Sequence, residues 1–130
     1  MPVADTSFVV DLIRMDPGAI NLYSNMRSRN LPLATTVITA LELHRGAQIS
    51  GNRVKNMGRM QRLLKQFLML QIDERVCETY GALSALLQEK GSPIGDFDEM
   101  IASIALCHDR KLITRDDHLS CISGLKILSY

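Results

Sequence analysis

Residues 93–116 read PIGDFDEMIASIALCHDRKLITRD, and the order of structures in this stretch decides the fold. Pro93 and Gly95 bracket a loop that stops whatever precedes it. Asp98 then opens a run of small and apolar residues, Met100-Ile-Ala-Ser-Ile-Ala105, which reads as a helix ending near His108. Leu112-Ile113-Thr114 follows as a short apolar strand, and Asp116 stands just beyond it. A helix feeding a strand that is apolar throughout argues for a parallel sheet covered on both faces. In open sheets of that kind, ligands bind beyond the carboxyl ends of the strands.

Working outward, the same alternation recurs. Val3-Ala4 reads as a strand, and Asp5-Thr6-Ser7 supplies caps for a helix to about Ile13. Asp16-Pro17 starts a second helix, with Pro at its first position, running to about Arg29. Leu31–Ala34 is the expected second strand, and Thr35-Thr36 caps a helix to about Ala47. Ser50-Gly51-Asn52 breaks the chain before a helix from Arg53 to about Lys65. Phe67–Ile72 is the third strand, and Asp73 caps a helix with Val76, Tyr80, Leu83 and Leu87 as its buried stripe. Leu125–Leu128 is the fifth strand, after a short helix. The expectation is one α/β domain over residues 1–130, a three-layer α/β/α fold around a central, mostly parallel five-stranded sheet.

Four acids sit among apolar residues: Asp5, Glu42, Asp98 and Asp116. Asp5 and Asp116 fall at strand ends, and Asp98 and Glu42 in or near the first turns of helices. A carboxylate on an apolar surface is costly to bury without a cation or hydrogen bonds. Several converging acids imply a bound divalent metal, and all-oxygen ligation suits Mg²⁺ or Mn²⁺. Each acid also has a plain reading. Asp5 and Asp116 serve equally as helix caps, and Asp98 as a first-turn acid with Asp96 as the cap. Glu42 lies beyond the first turn of a helix capped by Thr36, four residues after Ile38, where the dipole argument has faded. The set is more specific than any member.

The chain carries 15 Lys and Arg against 14 Asp and Glu, a net charge of +1 that says little about partners. The distribution says more. No acid occurs between Glu42 and Asp73, where Arg45, Arg53, Lys55, Arg59, Arg62 and Lys65 lie. Segregated acidic and basic surfaces suit an enzyme that holds metal on one and phosphate on the other. The default reading of the basic run is a solvated helix face. Three cysteines, odd in number and without a Cys-x-x-Cys pair, argue against a disulfide framework and for a cytoplasmic location. The three histidines lack the paired spacing of a zinc site. No secretory segment and no stretch of membrane-spanning length is present. Leu22, Met26, Met57, Met60 and Leu64 are more apolar positions than one small core is expected to use, so they are candidates for an exposed dimer surface.

With these residues in view, the chain resembles the PIN-domain family and, within it, the VapC toxins of type II toxin–antitoxin systems. The resemblance rests on Ala4-Asp-Thr-Ser7, Thr39-Ala-Leu-Glu-Leu43 with Gly46, Pro93 to Ala105, Leu112 to Asp116, and Ile122 to Leu128. It implies a Mg²⁺- or Mn²⁺-dependent endoribonuclease leaving 5′-phosphate and 3′-hydroxyl ends. It also implies a homodimer and a cognate antitoxin whose segment enters the active groove. The family's acidic positions map onto Asp5, Glu42, Asp98 and Asp116, with support from Thr6, Ser7 and Thr114. Asp96 and Asp117 are further acids whose roles the pattern leaves open. The alternatives are a housekeeping PIN nuclease in RNA maturation, or a non-catalytic module binding RNA or protein; fold alone does not separate them.

Overall fold

The computed structural model describes residues 1–130. Its elements follow in the order β1 (Val3–Ala4), α1 (Thr6–Ile13), α2 (Pro17–Ser28), β2 (Ala34–Thr36), α3 (Val37–Gln48), α4 (Arg53–Leu64), β3 (Leu68–Leu70), α5 (Glu74–Glu89), α6 (Asp96–Cys107), β4 (Leu112–Ile113) and β5 (Ile127–Leu128). A 3₁₀ turn over Asp117–Cys121 separates the last two strands. The strands form one sheet in the order β3-β2-β1-β4-β5, and every pairing is parallel.

Alternation along the strands divides the core in two. Val3, Ala34 and Leu112 pack with Val76, Leu83, Ile101 and Ile104 from α5 and α6. Ala4, Leu33 and Ile113 pack with Phe8, Leu12, Met26 and Met60 from α1, α2 and α4. Successive strand side chains point to opposite faces, so the two clusters lie on opposite sides of the sheet and make three layers.

Local chemistry sets most helix starts. Asp5, Asp16, Thr36, Asn52 and Asp73 each cap a helix by accepting a backbone N–H three residues on. Such a cap is typically worth about 1 kcal/mol. α6 differs: Gly95 holds the cap position and no side chain caps it, so Asp96 is the first helical residue rather than the cap. The second strand also lies later than expected, at Ala34–Thr36 instead of Leu31–Ala34. Thr35 and Thr36 are buried there, and the Thr35 hydroxyl donates to the Ala4 carbonyl at 2.8 Å. Buried and β-branched, the two threonines read as helix caps also extend the strand, and Thr36 still caps α3 from its end. The stripe of α5 holds at Val76, Leu83 and Leu87, with Tyr80 only half-buried.

Met26 and Met60 correct the expectation of a spare apolar surface. Both are buried in the core beneath α2 and α4, while Leu22, Met57 and Leu64 are half-buried against it. Two helices packed on one face of the sheet use these residues internally. No helix is long and apolar enough to cross a membrane.

Candidate active site

Four elements bring their acids toward the carboxyl end of the sheet. Asp5 follows β1 directly, and Asp116 lies three residues after β4. Register pairs Ala4 with Ile113, so the two acids leave adjacent parallel strands. Asp98 is the third residue of α6, and Glu42 lies midway along α3.

Asp5 is 5% exposed. Its Oδ1 accepts the Phe8 N–H at 2.9 Å and the Ser7 hydroxyl at 2.7 Å. The Thr114 hydroxyl lies near enough to favour its charged form. All of these donors are neutral. Burial pushes the Asp5 carboxyl above its ordinary pKa, the Asp116 charge pushes the same way, and the hydrogen bonds pull it partly back. Asp98 is half-buried, and its pKa is also raised, by burial first and then by the charges of Asp116, Glu42 and Asp5. The four acids therefore share one negative field.

The supporting hydroxyls act locally. Thr6 donates to Glu42 Oε1 at 2.7 Å and lies 3.2 Å from the Thr39 hydroxyl, which stands over the α3 cap residue Thr36. The start of α1 thus orients an acid borne by α3. Thr114 Oγ1 accepts the Asp116 N–H at 2.9 Å, and Asp116 Oδ1 accepts the His118 N–H at 2.9 Å. Asp116 Oδ1 also meets His118 Nδ1 at 2.9 Å. Glu42 and Asp98 border an open cleft of about 400 Å³ with Gly95, Asp96 and Phe97. Thr6 and Glu42 also border a larger cavity, about 610 Å³, whose walls include Val10, Ile13, Leu43, Arg59 and Met60. Asp96 is exposed at the cleft, and Asp117 is exposed at the start of the 3₁₀ turn.

No three acid, thiol or imidazole groups stand close enough to grip one ion between them. The donor set still suits a hydrated hard cation. Mg²⁺ takes one or two carboxylates directly and keeps several of its waters. Asp5, Glu42 and Asp98 form no ion pair with any Lys, Arg or His. No Lys or Arg of the chain balances their shared charge.

A family model described as PIN domain matches residues 3–125. The chain belongs to the PIN-domain family. This PIN domain is 30% identical over 112 residues to a Haemophilus influenzae (strain R2866) protein named Ribonuclease VapC1, covering 86% of this chain and 84% of that one. It is 28% identical over 124 residues to a Salmonella typhimurium protein named tRNA(fMet)-specific endonuclease VapC, covering 95% and 92%. Its structure is similar to that of VapBC-1 from nontypeable Haemophilus influenzae, with a TM-score of 0.86, 28% identity, and 98% and 96% of the two chains covered.

The sequence reading missed two buried acids in this PIN domain. Asp11, on α1, is 3% exposed and pairs with Arg115 Nη1 at 3.2 Å. Its signal was available: an acid three residues after Phe8, inside Phe8-Val-Val-Asp-Leu-Ile13. Glu99, also 3% exposed, accepts the Ile94 N–H at 3.3 Å through Oε2, while its Oε1 has no partner. An acid beside Asp98 in a helix start looked like one more first-turn charge, and nothing in its spacing marked it as buried.

Proposed function

We propose that this chain is a single PIN domain over residues 1–130, acting as the ribonuclease toxin of a toxin–antitoxin pair. The observation that carries the proposal is the shared field of Asp5, Glu42, Asp98 and Asp116, none of which pairs with a Lys or Arg. Relatives named as ribonucleases and as a transfer-RNA endonuclease agree with it. Asp5, Asp98 and Asp116 would hold a hydrated Mg²⁺ or Mn²⁺, one or two of them directly and the rest through its waters, with Glu42 closing the field from α3. A divalent cation there supplies Lewis-acid charge that acidifies water and offsets negative charge gathering on a phosphodiester. Thr6 holds Glu42 in place, Ser7 and Thr114 hold Asp5, and Thr114 also fixes the backbone of Asp116. The exposed cations of α4, Arg53, Lys55 and Arg62, share that helix with Asn56, Arg59 and Met60 of the larger cavity's wall and suit the RNA backbone.

The antitoxin partner is supported by the solved VapBC complex. The cavity of about 610 Å³ between α1, α3 and α4 has an apolar part, Val10, Ile13, Leu43 and Met60, set among Arg14, Asn56 and Arg59, and opens beside Thr6 and Glu42. A peptide with apolar side chains and one Arg or Lys matches both parts of that surface. The homodimer remains part of the proposal, but Met26 and Met60 no longer belong to its surface. Light scattering tests it, and a mass near the 14.5 kDa of one chain removes the dimer.

Incubation of the purified protein with initiator transfer RNA and bulk RNA, with Mg²⁺, Mn²⁺ or a chelator, tests the activity. Metal-dependent cleavage that disappears with chelation is expected. Cleavage persisting in Asp98→Asn protein cleared of contaminating nuclease would overturn the assignment.

A further inference from the structure

Around Asp11 lies a network that the proposed reaction does not use. The Tyr130 hydroxyl donates to Asp11 Oδ2 at 2.6 Å, and Arg115 holds Oδ1. The Tyr130 ring meets Phe8 edge-on, with centroids 4.9 Å apart and planes inclined at 72°. Phe8 is the residue whose N–H holds Asp5. Ser7 stands between the parts. Its hydroxyl donates to Asp5, lies beside the Tyr130 oxygen, and receives the Arg115 N–H at 3.5 Å. Each hydroxyl has one proton, and each directs it to a carboxylate: Ser7 to Asp5, Tyr130 to Asp11. Arg115 lies between Thr114 and Asp116 in the chain, so its side chain ties the loop after β4 to α1.

We propose that Tyr130, Asp11 and Arg115 form a positioning unit that holds Ser7 and the Thr114–Asp116 segment in register, setting the spacing between the Asp5 and Asp116 carboxylates. In this role the three act through the segments they hold, not by ligating the cation themselves. The proposal rests on reading Asp5 and Asp116 as cation-holding acids. Its physical basis is that the two acids leave neighbouring strands on short segments, and a strand pair does not fix side chains beyond its last hydrogen bond. The Asp11–Arg115 contact and the Ser7 bridge supply the missing restraint from both sides. Groups behind the direct ligands commonly tune metal affinity in this way.

The test is Mn²⁺ affinity, read from the paramagnetic signal of free Mn²⁺, in the wild type, Tyr130→Phe, Asp11→Asn and a control, Val76→Ala. Val76 is buried on the opposite face of the sheet, so the control reports what general loss of stability does. Tyr130→Phe keeps the ring on Phe8 and removes only the hydroxyl. Both network variants are expected to weaken Mn²⁺ binding about tenfold. They are also expected to lower kcat for RNA cleavage with little change in KM, while Val76→Ala binds Mn²⁺ as the wild type does. Affinities within twofold of the wild type in both network variants, or an equal loss in Val76→Ala, overturn the positioning role and leave a packing contact. A wild-type protein that binds no Mn²⁺ instead overturns the metal-site reading, and this inference with it.

Discussion

Asp5 and Asp11 lie on the same turns of chain, both nearly inaccessible, and the fold treats them in opposite ways. Asp11 has a protein cation, Arg115, and a phenol, Tyr130. Asp5 has only neutral donors, and its carboxyl is pushed above its ordinary pKa. A buried carboxylate given its own cation is finished as a structural element. One denied it, beside three other acids, retains charge that an external ion can satisfy. This difference separates the two acids more clearly than burial, which is nearly equal for them.

The comparison can be broken most sharply by removing charge from each side. On the functional side, Asp98→Asn keeps the shape and deletes one member of the shared field. Turnover on RNA is expected to fall on the order of 10²-fold or more, with circular dichroism unchanged. On the architectural side, Asp11→Asn is expected to cost about 1–2 kcal/mol in urea denaturation of the metal-free protein. Asp5→Asn should cost no more than about 0.5 kcal/mol in the same measurement, because Asn caps a helix as well as Asp does and removes a buried charge. Equal losses in the two variants would erase the distinction.

Glu99 is a third buried acid that sharpens the contrast, having neither a cation nor a full set of donors. Glu99→Gln keeps an acceptor for the Ile94 N–H and removes the charge. It is expected to stabilise the protein by about 1 kcal/mol, read from the same denaturation curves. No change would mean that solvent or a proton already satisfies the free oxygen.

The smallest effect is in the pH dependence. Asp5 and Asp98 have folded-state pKa values raised above the ordinary 3.8, so the folded protein binds their protons more tightly. Their contribution to stability is fullest below that ordinary value and is lost as pH rises through the raised one. Asp98 is only half-buried, so solvent screening keeps its share small. Metal-free Asp98→Asn protein should therefore lose less stability than the wild type on going from pH 4 to pH 7. Added Mg²⁺ should recover the loss at pH 7 in the wild type.

Much of this was legible before any coordinates. The caps Asp5, Asp16, Thr36 and Asp73 were readable because a cap is a local bond spanning three residues. The strands β1 and β4 were readable because central strands buried on both faces are apolar at every position. Edges were less clear. β2 was expected too early because its threonines look polar until Ala4 and its carbonyl are placed beside them. The α6 cap went to Asp96 because Asp is favoured there, whereas the backbone gave the place to Gly95.

The sequence alone determined the alternation of strand and helix, the parallel sheet, and the four acids at strand ends and early helical turns. These follow from periodicity and local hydrogen bonding, which act over a few residues. Only the tertiary structure decided which carboxylates received a partner. Asp11 meets Arg115 across 104 positions of chain and Tyr130 across 119, and Glu42 meets Thr6 across 36. Such pairings depend on which helix faces which strand end, a consequence of sheet order and helix packing that no local pattern encodes. Whether a buried acid is finished as a structural element is settled there, by whether the folded chain brings a cation within reach.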